Sequence, residues 1–188
     1  MQFVRRTGHY LRFRLRTLIL IVAALAISVS ITEFTTRDYR KRRRIEADLH
    51  SMGAYYVSFD DSNAPAWVGF IAPVGLDRLG DYESFDNLDF AGAIVTDDTV
   101  RNLSNLKRVR VLHFTDCNVT DAQLKMLANI GSVWMLRLNG SPVTDDAIPA
   151  IASIRGLESL DVSGTLITSD GVAELEQRRP EIVVRHEP

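Results

Sequence analysis

LESLDVSGTLIT, residues 157–168, is the clearest copy of a segment that recurs along this chain at a step of 24 residues. Each copy ends at a threonine that marks the register: Thr96, Thr120, Thr144 and Thr168. Ahead of each threonine stands the same frame of apolar positions: Phe85, Leu88 and Phe90; Val109, Leu112 and Phe114; Val133, Leu136 and Leu138; Leu157, Leu160 and Val162. A fixed period of this length is typical of repeat architectures, in which each repeat buries its apolar side against its neighbours.

Each repeat predicts one short strand followed by one short helix, and hence an α/β fold. In the L-x-x-L-x-L stretch, alternate side chains point to one side of a strand. Beyond the threonine, apolar residues recur at the three-residue spacing of a helix's inner side: Val100 and Leu103, Leu124 and Leu127, Ile148 and Ile151, Val172 and Leu175. The threonine is suited to cap this helix, and Gln123 completes a capping box with Thr120. Asp121, in the first turn, interacts favourably with the helix dipole.

The repeat resembles the leucine-rich repeat family, in particular its cysteine-containing type, whose units read L-x-x-L-x-L-x-x-C/T-x-I-T-D-x-G-L. Cys117 occupies the small buried position of that pattern, and the match covers residues 82–188. The layout of the chain also resembles small membrane-anchored leucine-rich repeat proteins of planctomycete-type bacteria. The resemblance implies an α/β leucine-rich repeat solenoid with a 24-residue period, short parallel strands on its concave side and helices outside. It implies no reaction.

Residues 54–81 are expected to cover the first repeat, since the terminal repeats of a solenoid need a cap. Within them, Ala54 to Phe59 is rich in aromatic and branched residues and predicts a strand. Trp67 and Phe70 are expected to pack inside this cap rather than to form a site. At the other end of the repeats, residues 182–184 predict one more short strand.

An apolar segment near the N-terminus predicts a membrane anchor. Residues 17–32 contain no charge, glycine or proline, and with flanking apolar residues the run reaches about 20 residues, enough helix to cross the hydrocarbon core. We predict a single transmembrane helix at 17–36, between a basic tail at 1–16 and a basic juxtamembrane helix or linker at 37–53. A cleavable secretory signal is the main alternative, because it has the same ingredients. Dense arginine clusters on both sides disfavour a buried core helix.

The overall net charge of −2 is the sum of two opposite segments. Residues 1–50 hold 11 Lys+Arg against 4 Asp+Glu, whereas residues 51–188 hold 11 against 20. Five arginines precede the predicted span and six basic residues follow it. The two counts that the positive-inside rule compares are therefore nearly equal. The short tail needs no translocation if it stays inside, which favours a cytoplasmic N-terminus with extracytoplasmic repeats.

One basic cluster directly follows the predicted span: Arg40, Lys41, Arg42, Arg43 and Arg44. It is a candidate contact for anionic lipid headgroups, which attract juxtamembrane basic residues. It does not predict a nucleic-acid site, because it adjoins a membrane span and has no interleaved aromatic residue to stack on bases.

The outward positions of the predicted strands form ladders in which neighbours lie about 4.8 Å apart. These ladders bring together cationic, aromatic and apolar side chains: Arg110, His113, Trp134, Met135 and Arg137. Because tryptophan and arginine are enriched at binding hot spots, we predict that this set binds a protein or a peptide. In the alternative, these residues pair with one another, or the preceding loop covers Trp134.

Catalysis has little support in the sequence. The four histidines are scattered, and Cys117 falls at an inward position where a buried, inert thiol is expected. No glycine-rich phosphate loop or metal-ligand spacing is present, so no catalytic residue, metal site or cofactor is predicted. We therefore do not predict an enzyme. Two function classes remain: a membrane-anchored module that binds a protein or peptide through its concave sheet, and a structural cell-envelope component with no discrete ligand.

Overall fold

The computed structural model describes residues 15–62, 64–71, 76–82 and 84–187. The chain divides into two compact parts at the boundary between Lys41 and Arg42. In the first part the described residues form a single helix, and the second part contains a sheet with its connecting helices. Most of the predicted basic tail at 1–16 lies outside the described residues.

The first helix, α1 (Leu15–Ser51), is long and apolar enough to cross a membrane, and among the described residues it alone meets that test. Its side chains are exposed from Ile19 to Glu33. Hydroxyl groups in this stretch donate to carbonyl groups of the preceding turn, as Thr32 does to Ser28 over 2.8 Å. Such bonds satisfy these hydroxyl donors within the helix itself. The span predicted at 17–36 lies within α1.

The last turns of α1 belong to the second compact part. Leu49 and Met52 are buried in its core, and the helix ends just before Gly53, whose φ of 91° suits glycine. Asp48, one turn earlier, accepts a hydrogen bond from the hydroxyl of Tyr82 over 2.8 Å. The end of the segment predicted as a juxtamembrane helix or linker is therefore helical and part of the core.

Seven strands of the described residues form one sheet, in which each strand neighbours the next one along the chain. The elements after α1 are, in order, β1 (Ala54–Phe59), β2 (Pro65–Phe70), a 3-10 helix (Leu76–Asp81), β3 (Ser84–Asp89), α2 (Asp97–Leu103), β4 (Arg108–His113), α3 (Asp121–Leu127), β5 (Val133–Arg137), a 3-10 turn (Asp145–Ala147) leading into α4 (Ile148–Ser153), β6 (Ser159–Asp161), α5 (Ser169–Arg178) and β7 (Val183–Arg185).

The register of this sheet follows the sequence repeat. β1 and β2 are antiparallel, and every later pair of strands is parallel. From β3 onward, paired residues lie 24 positions apart, as Val109 and Val133 do. The predicted α/β class with short, mostly parallel strands is confirmed, and so is the strand at Ala54–Phe59.

Rows of equivalent repeat positions fill the core on one side of the sheet. One row consists of buried leucines that are partners in the register: Leu88, Leu112, Leu136 and Leu160. Beside it, the ring of Phe90 stacks on Phe70 and on Phe114, with centroid distances of 5.1 and 5.6 Å. The apolar frame of the sequence is therefore the inward side of the strands, as predicted.

The threonine that marks each repeat caps the helix that follows it. Its side-chain oxygen accepts a backbone N–H at the helix start in every copy: Thr96, Thr120, Thr144 and Thr168. The capping box predicted for Thr120 and Gln123 is present. The Thr120 N–H donates to Gln123 Oε1 over 3.1 Å, and the Gln123 N–H donates to Thr120 Oγ1 over 3.4 Å. These caps satisfy backbone donors that a helix start otherwise leaves unpaired.

The aspartate after the threonine joins one repeat to the next. Asp145 accepts the backbone N–H of Thr168 over 2.8 Å and its hydroxyl over 2.7 Å. Asp121 makes the same two bonds to Thr144, at 2.9 and 2.7 Å. The sequence predicted only that such an aspartate interacts with its own helix dipole. The structure adds a bond between repeats, which depends on the 24-residue register.

The small residue of each repeat also reaches its neighbour. The thiol of Cys117 donates to the Phe90 carbonyl over 2.7 Å, and the hydroxyl of Ser141 donates to the Phe114 carbonyl over 2.7 Å. Burial raises the pKa of the Cys117 thiol to about 11. The buried position predicted for Cys117 is confirmed, and at neutral pH the thiol stays protonated, the form that is not nucleophilic.

Replacing Asp145 by alanine removes both bonds to Thr168. We expect the free energy of unfolding to fall by about 1–2 kcal/mol, which is typical for a lost helix cap. Urea unfolding of the full-length protein in detergent measures the change. Asp146→Ala is the matched control, because Asp146 is exposed and bonds to Thr144 only through its backbone N–H. An equal loss in the control would contradict a bond between repeats.

Candidate binding face

The structure places the five predicted site residues on two adjacent strands. Arg110 and His113 lie on β4, and Trp134, Met135 and Arg137 lie on β5. In the register, His113 is the partner of Arg137. These residues alternate with the buried row of the core, so they occupy the opposite side of the sheet, which we call the binding face.

Two of the five residues have carboxylate partners in neighbouring repeats. Arg110 Nε lies 3.9 Å from Asp86 Oδ1, and Trp134 Nε1 donates to Glu158 Oε2 over 2.9 Å. Both partners lie outside the set of five, so these contacts are not the pairing of the five with one another that the sequence raised as an alternative. Trp134 remains 40 % exposed.

Trp67 was expected to pack inside the cap, and this expectation is wrong. Strand β2 buries Val68 and Phe70 in the core, so the alternation of a strand directs Trp67 to the binding face, where it is 42 % exposed. Its ring stacks on that of His113, with a centroid distance of 6.2 Å and an interplanar angle of 14°. Phe70 is buried in the core, as expected.

Tyr55 extends this group of rings over Gly69. A Cβ atom added to Gly69 would meet the Tyr55 ring at 2.6 Å, so the tyrosine occupies the space that a side chain at position 69 would need. Gly69 lies two residues beyond Trp67 and therefore faces the same side of β2. We call the rings of Tyr55 and Trp67 the aromatic shelf. The alternation of PAWVGF was the signal in the sequence that could have revealed it.

His113 is nearly buried beneath the shelf, and its charge state follows from that position. Burial is the main cause that lowers the pKa of His113; the nearby Asp89 carboxylate raises it, and the Arg137 guanidinium lowers it further. A neutral imidazole is consequently favoured at neutral pH. Among the described residues, neither the His113 ring nor the Arg137 guanidinium has a hydrogen-bond or ion-pair partner.

Other reactive groups of the described residues have structural roles. The ring of His50 lies within hydrogen-bond distance of the Ala54 carbonyl (2.6 Å), and that of His186 lies 3.1 Å from the Ile167 carbonyl. Within residues 15–62, 64–71, 76–82 and 84–187, no group of three or more His, Cys, Asp or Glu side chains could hold a metal ion.

The basic cluster at 40–44 is exposed, and part of it contacts the protein. The guanidinium of Arg42 lies 5.6 Å from the centre of the Phe59 ring and donates to the Asp60 carbonyl over 3.5 Å. Arg43 lies 3.9 Å from Glu46. Exposed contacts of this kind are weak, so the basic cluster can still bind anionic groups.

No protein-family model matches the chain, and no curated protein shows significant similarity to it. The proposal of a leucine-rich repeat therefore depends on the sequence pattern and on the register of the sheet.

Trp67→Ala removes the ring that covers His113. Because burial lowers the pKa of His113, we expect the pKa to rise toward its ordinary value of about 6.5. NMR titration of the full-length protein in detergent micelles measures it, with His113→Gln to identify the signal. Trp67→Phe, which keeps a ring in place, is the control, and an unchanged pKa in Trp67→Ala would exclude Trp67 as the cover.

The same shift has a consequence for stability. A lowered pKa means that the unfolded chain binds the proton more readily, so the contribution of neutral His113 is present above about pH 6.5 and is lost as the pH falls through the folded-state pKa. In Trp67→Ala this loss at acid pH should be smaller than in the wild type.

Proposed function

We propose that this chain is a membrane-anchored leucine-rich repeat protein that binds a protein or peptide through the concave side of a solenoid. The observation that carries the proposal is the pair of exposed indoles, Trp67 and Trp134, on one face of the sheet. Tryptophan dominates the energetics of many interfaces, and large exposed apolar side chains that share one surface commonly mark an interaction site.

The constant register supports the leucine-rich repeat assignment. Strand, turn and capped helix recur in the same order, and the paired strand residues of successive repeats are 24 positions apart. Each repeat contacts its neighbours through equivalent positions, which is how a solenoid is built. The binding face would then be the concave surface, where solenoids commonly bind their partners.

The length and composition of α1 support a single-pass anchor at residues 17–36. The N-terminus would lie in the cytoplasm and the repeats on the extracytoplasmic side. Basic side chains beyond the span are suited to contact anionic headgroups: Arg40, Lys41, Arg42, Arg43 and Arg44. A retained anchor of this kind is a signal anchor.

Protease digestion of intact cells tests this topology. We expect a tag at the C-terminus to be removed by external protease, because the repeats lie outside, and a tag at the N-terminus to be protected. Both tags should stay on one polypeptide before digestion, since the anchor is retained. Protection of the C-terminal tag would reverse the proposed orientation, and loss of the N-terminal tag before digestion would indicate a cleaved signal.

Affinity capture tests the binding function. We expect the tagged full-length protein, solubilised from source membranes, to retain a stoichiometric partner, and the double variant Trp134→Ala with Arg137→Ala to lose it. The matched control is Ile94→Ala with Arg101→Ala, which removes exposed side chains away from the binding face. Thermal unfolding of both variants should resemble that of the wild type, because all four side chains are exposed.

The alternative, a structural envelope component, predicts a different capture profile. A component without a discrete ligand would associate with many proteins in a salt-sensitive way, and the binding-face variant would leave that profile unchanged. Such a result would contradict the proposed binding function.

A further inference from the structure

Some polar groups of the binding face have a hydrogen-bond or ion-pair partner within this chain, and others do not. Each carboxylate of the face has a donor from this chain: Asp86 from Arg110, Asp89 from the Ala91 N–H, Glu158 from Trp134 and Asp161 from the Ser163 N–H. His113 and Arg137 have no such partner among the described residues. His113 and Arg137 are therefore among the donors that remain open on this face.

These two residues lie side by side. His113 on β4 and Arg137 on β5 are partners in the register, and adjacent strands are about 4.8 Å apart. A guanidinium presents several N–H groups in a planar fork that matches a carboxylate, and such charge-assisted bonds are the stronger kind. An imidazole nitrogen beside it can supply one more donor to the same group.

The aromatic shelf adjoins this pair. The Trp67 ring lies 6.2 Å from that of His113, and Arg137 lies one strand further on. An extended segment presents every second side chain to the same side. An apolar side chain and a carboxylate four residues apart in one segment can therefore face Trp67 and Arg137 together.

We propose that His113 and Arg137 bind a carboxylate of an acidic peptide segment in a partner protein, while an apolar side chain of that segment packs on the aromatic shelf. The inference rests on the proposed function and names the chemistry of its partner.

The acidic composition of residues 51–188 does not oppose this assignment. They hold 20 Asp+Glu against 11 Lys+Arg, so a distant acidic segment is repelled. At physiological ionic strength that repulsion is screened beyond about 8 Å. Two carboxylates lie closer, because Asp89 is the register partner of His113 and Asp161 that of Arg137. They oppose an incoming carboxylate, so its retention depends on direct charge-assisted bonds to Arg137 and His113 that outweigh this repulsion.

Two blocked peptides test the proposal. One has a leucine four residues from a glutamate, and its twin has glutamine in place of the glutamate. Binding to the full-length protein in detergent is followed by tryptophan fluorescence, because both tryptophans of the chain lie on the binding face. We expect the acidic peptide to bind about tenfold more tightly than its twin, as a charge-assisted contact predicts.

Substitutions show which residues cause the preference for the acidic peptide. Arg137→Gln should reduce the preference for the acidic peptide to near one, and His113→Gln should reduce it in part. Arg101→Gln is the matched control, because Arg101 is an exposed arginine on α2 that pairs with Asp98. Arg137 is exposed as well, so its replacement tests the proposal even if His113→Gln fails to fold.

The outcomes separate this inference from the proposed function. Equal binding of the two peptides, or a preference that survives in Arg137→Gln, overturns the carboxylate site but not partner capture by the binding face. Failure of the acidic peptide to bind at all also overturns it. Unchanged partner capture by the binding-face variant overturns the proposed function, whichever peptide binds.

Discussion

The carboxylate of Asp145 accepts both donors of Thr168, and bonds of this kind hold successive repeats in step. The step matters because one strand and one short helix cannot bury an apolar side alone. When residues 24 positions apart in the sequence pair on neighbouring strands, equivalent leucines and phenylalanines contact one another across the strands and form the core. A side-chain period of two means that a slip of a single residue would turn this whole row outward.

The same register brings the residues of the binding face together. His113 and Arg137 are separated by 24 residues in sequence and become direct neighbours only because β4 and β5 pair in this way. Trp67 and Tyr55 come from strands that precede the repeats, yet they lie on the same face and cover His113 and Gly69. The segment that precedes the first repeat thus also contributes rings to the surface for which we propose binding.

Much of the fold could be predicted from the sequence because the decisive contacts repeat. The inward frame, the threonine caps and the capping box at Gln123 are local patterns, and each copy supports the others. The bond from Asp121 to Thr144 is different: it joins residues of two repeats and becomes visible only when the strands are in register. The position of Trp67 was open to prediction from alternation, but its aromatic surroundings favoured a core interpretation.

The first helix shows a second limit of sequence patterns. A charged segment after a membrane span is commonly a linker, whereas Leu49 and Met52 at its end are buried in the core of the sheet part. Two buried apolar residues within a basic helix give a weak signal, since their significance depends on a surface that forms from residues far along the chain.

The constant step between strands also constrains how such a chain can change its length. Loss of one residue within a strand displaces all later partners, but loss of 24 residues from 109 to 132 would give each remaining strand an equivalent neighbour. Leu88 would then face Leu136 as it now faces Leu112. Genes for chains of this type are therefore expected to lengthen and shorten by duplication and loss of whole repeats, and the extent of the binding face would change in the same increments.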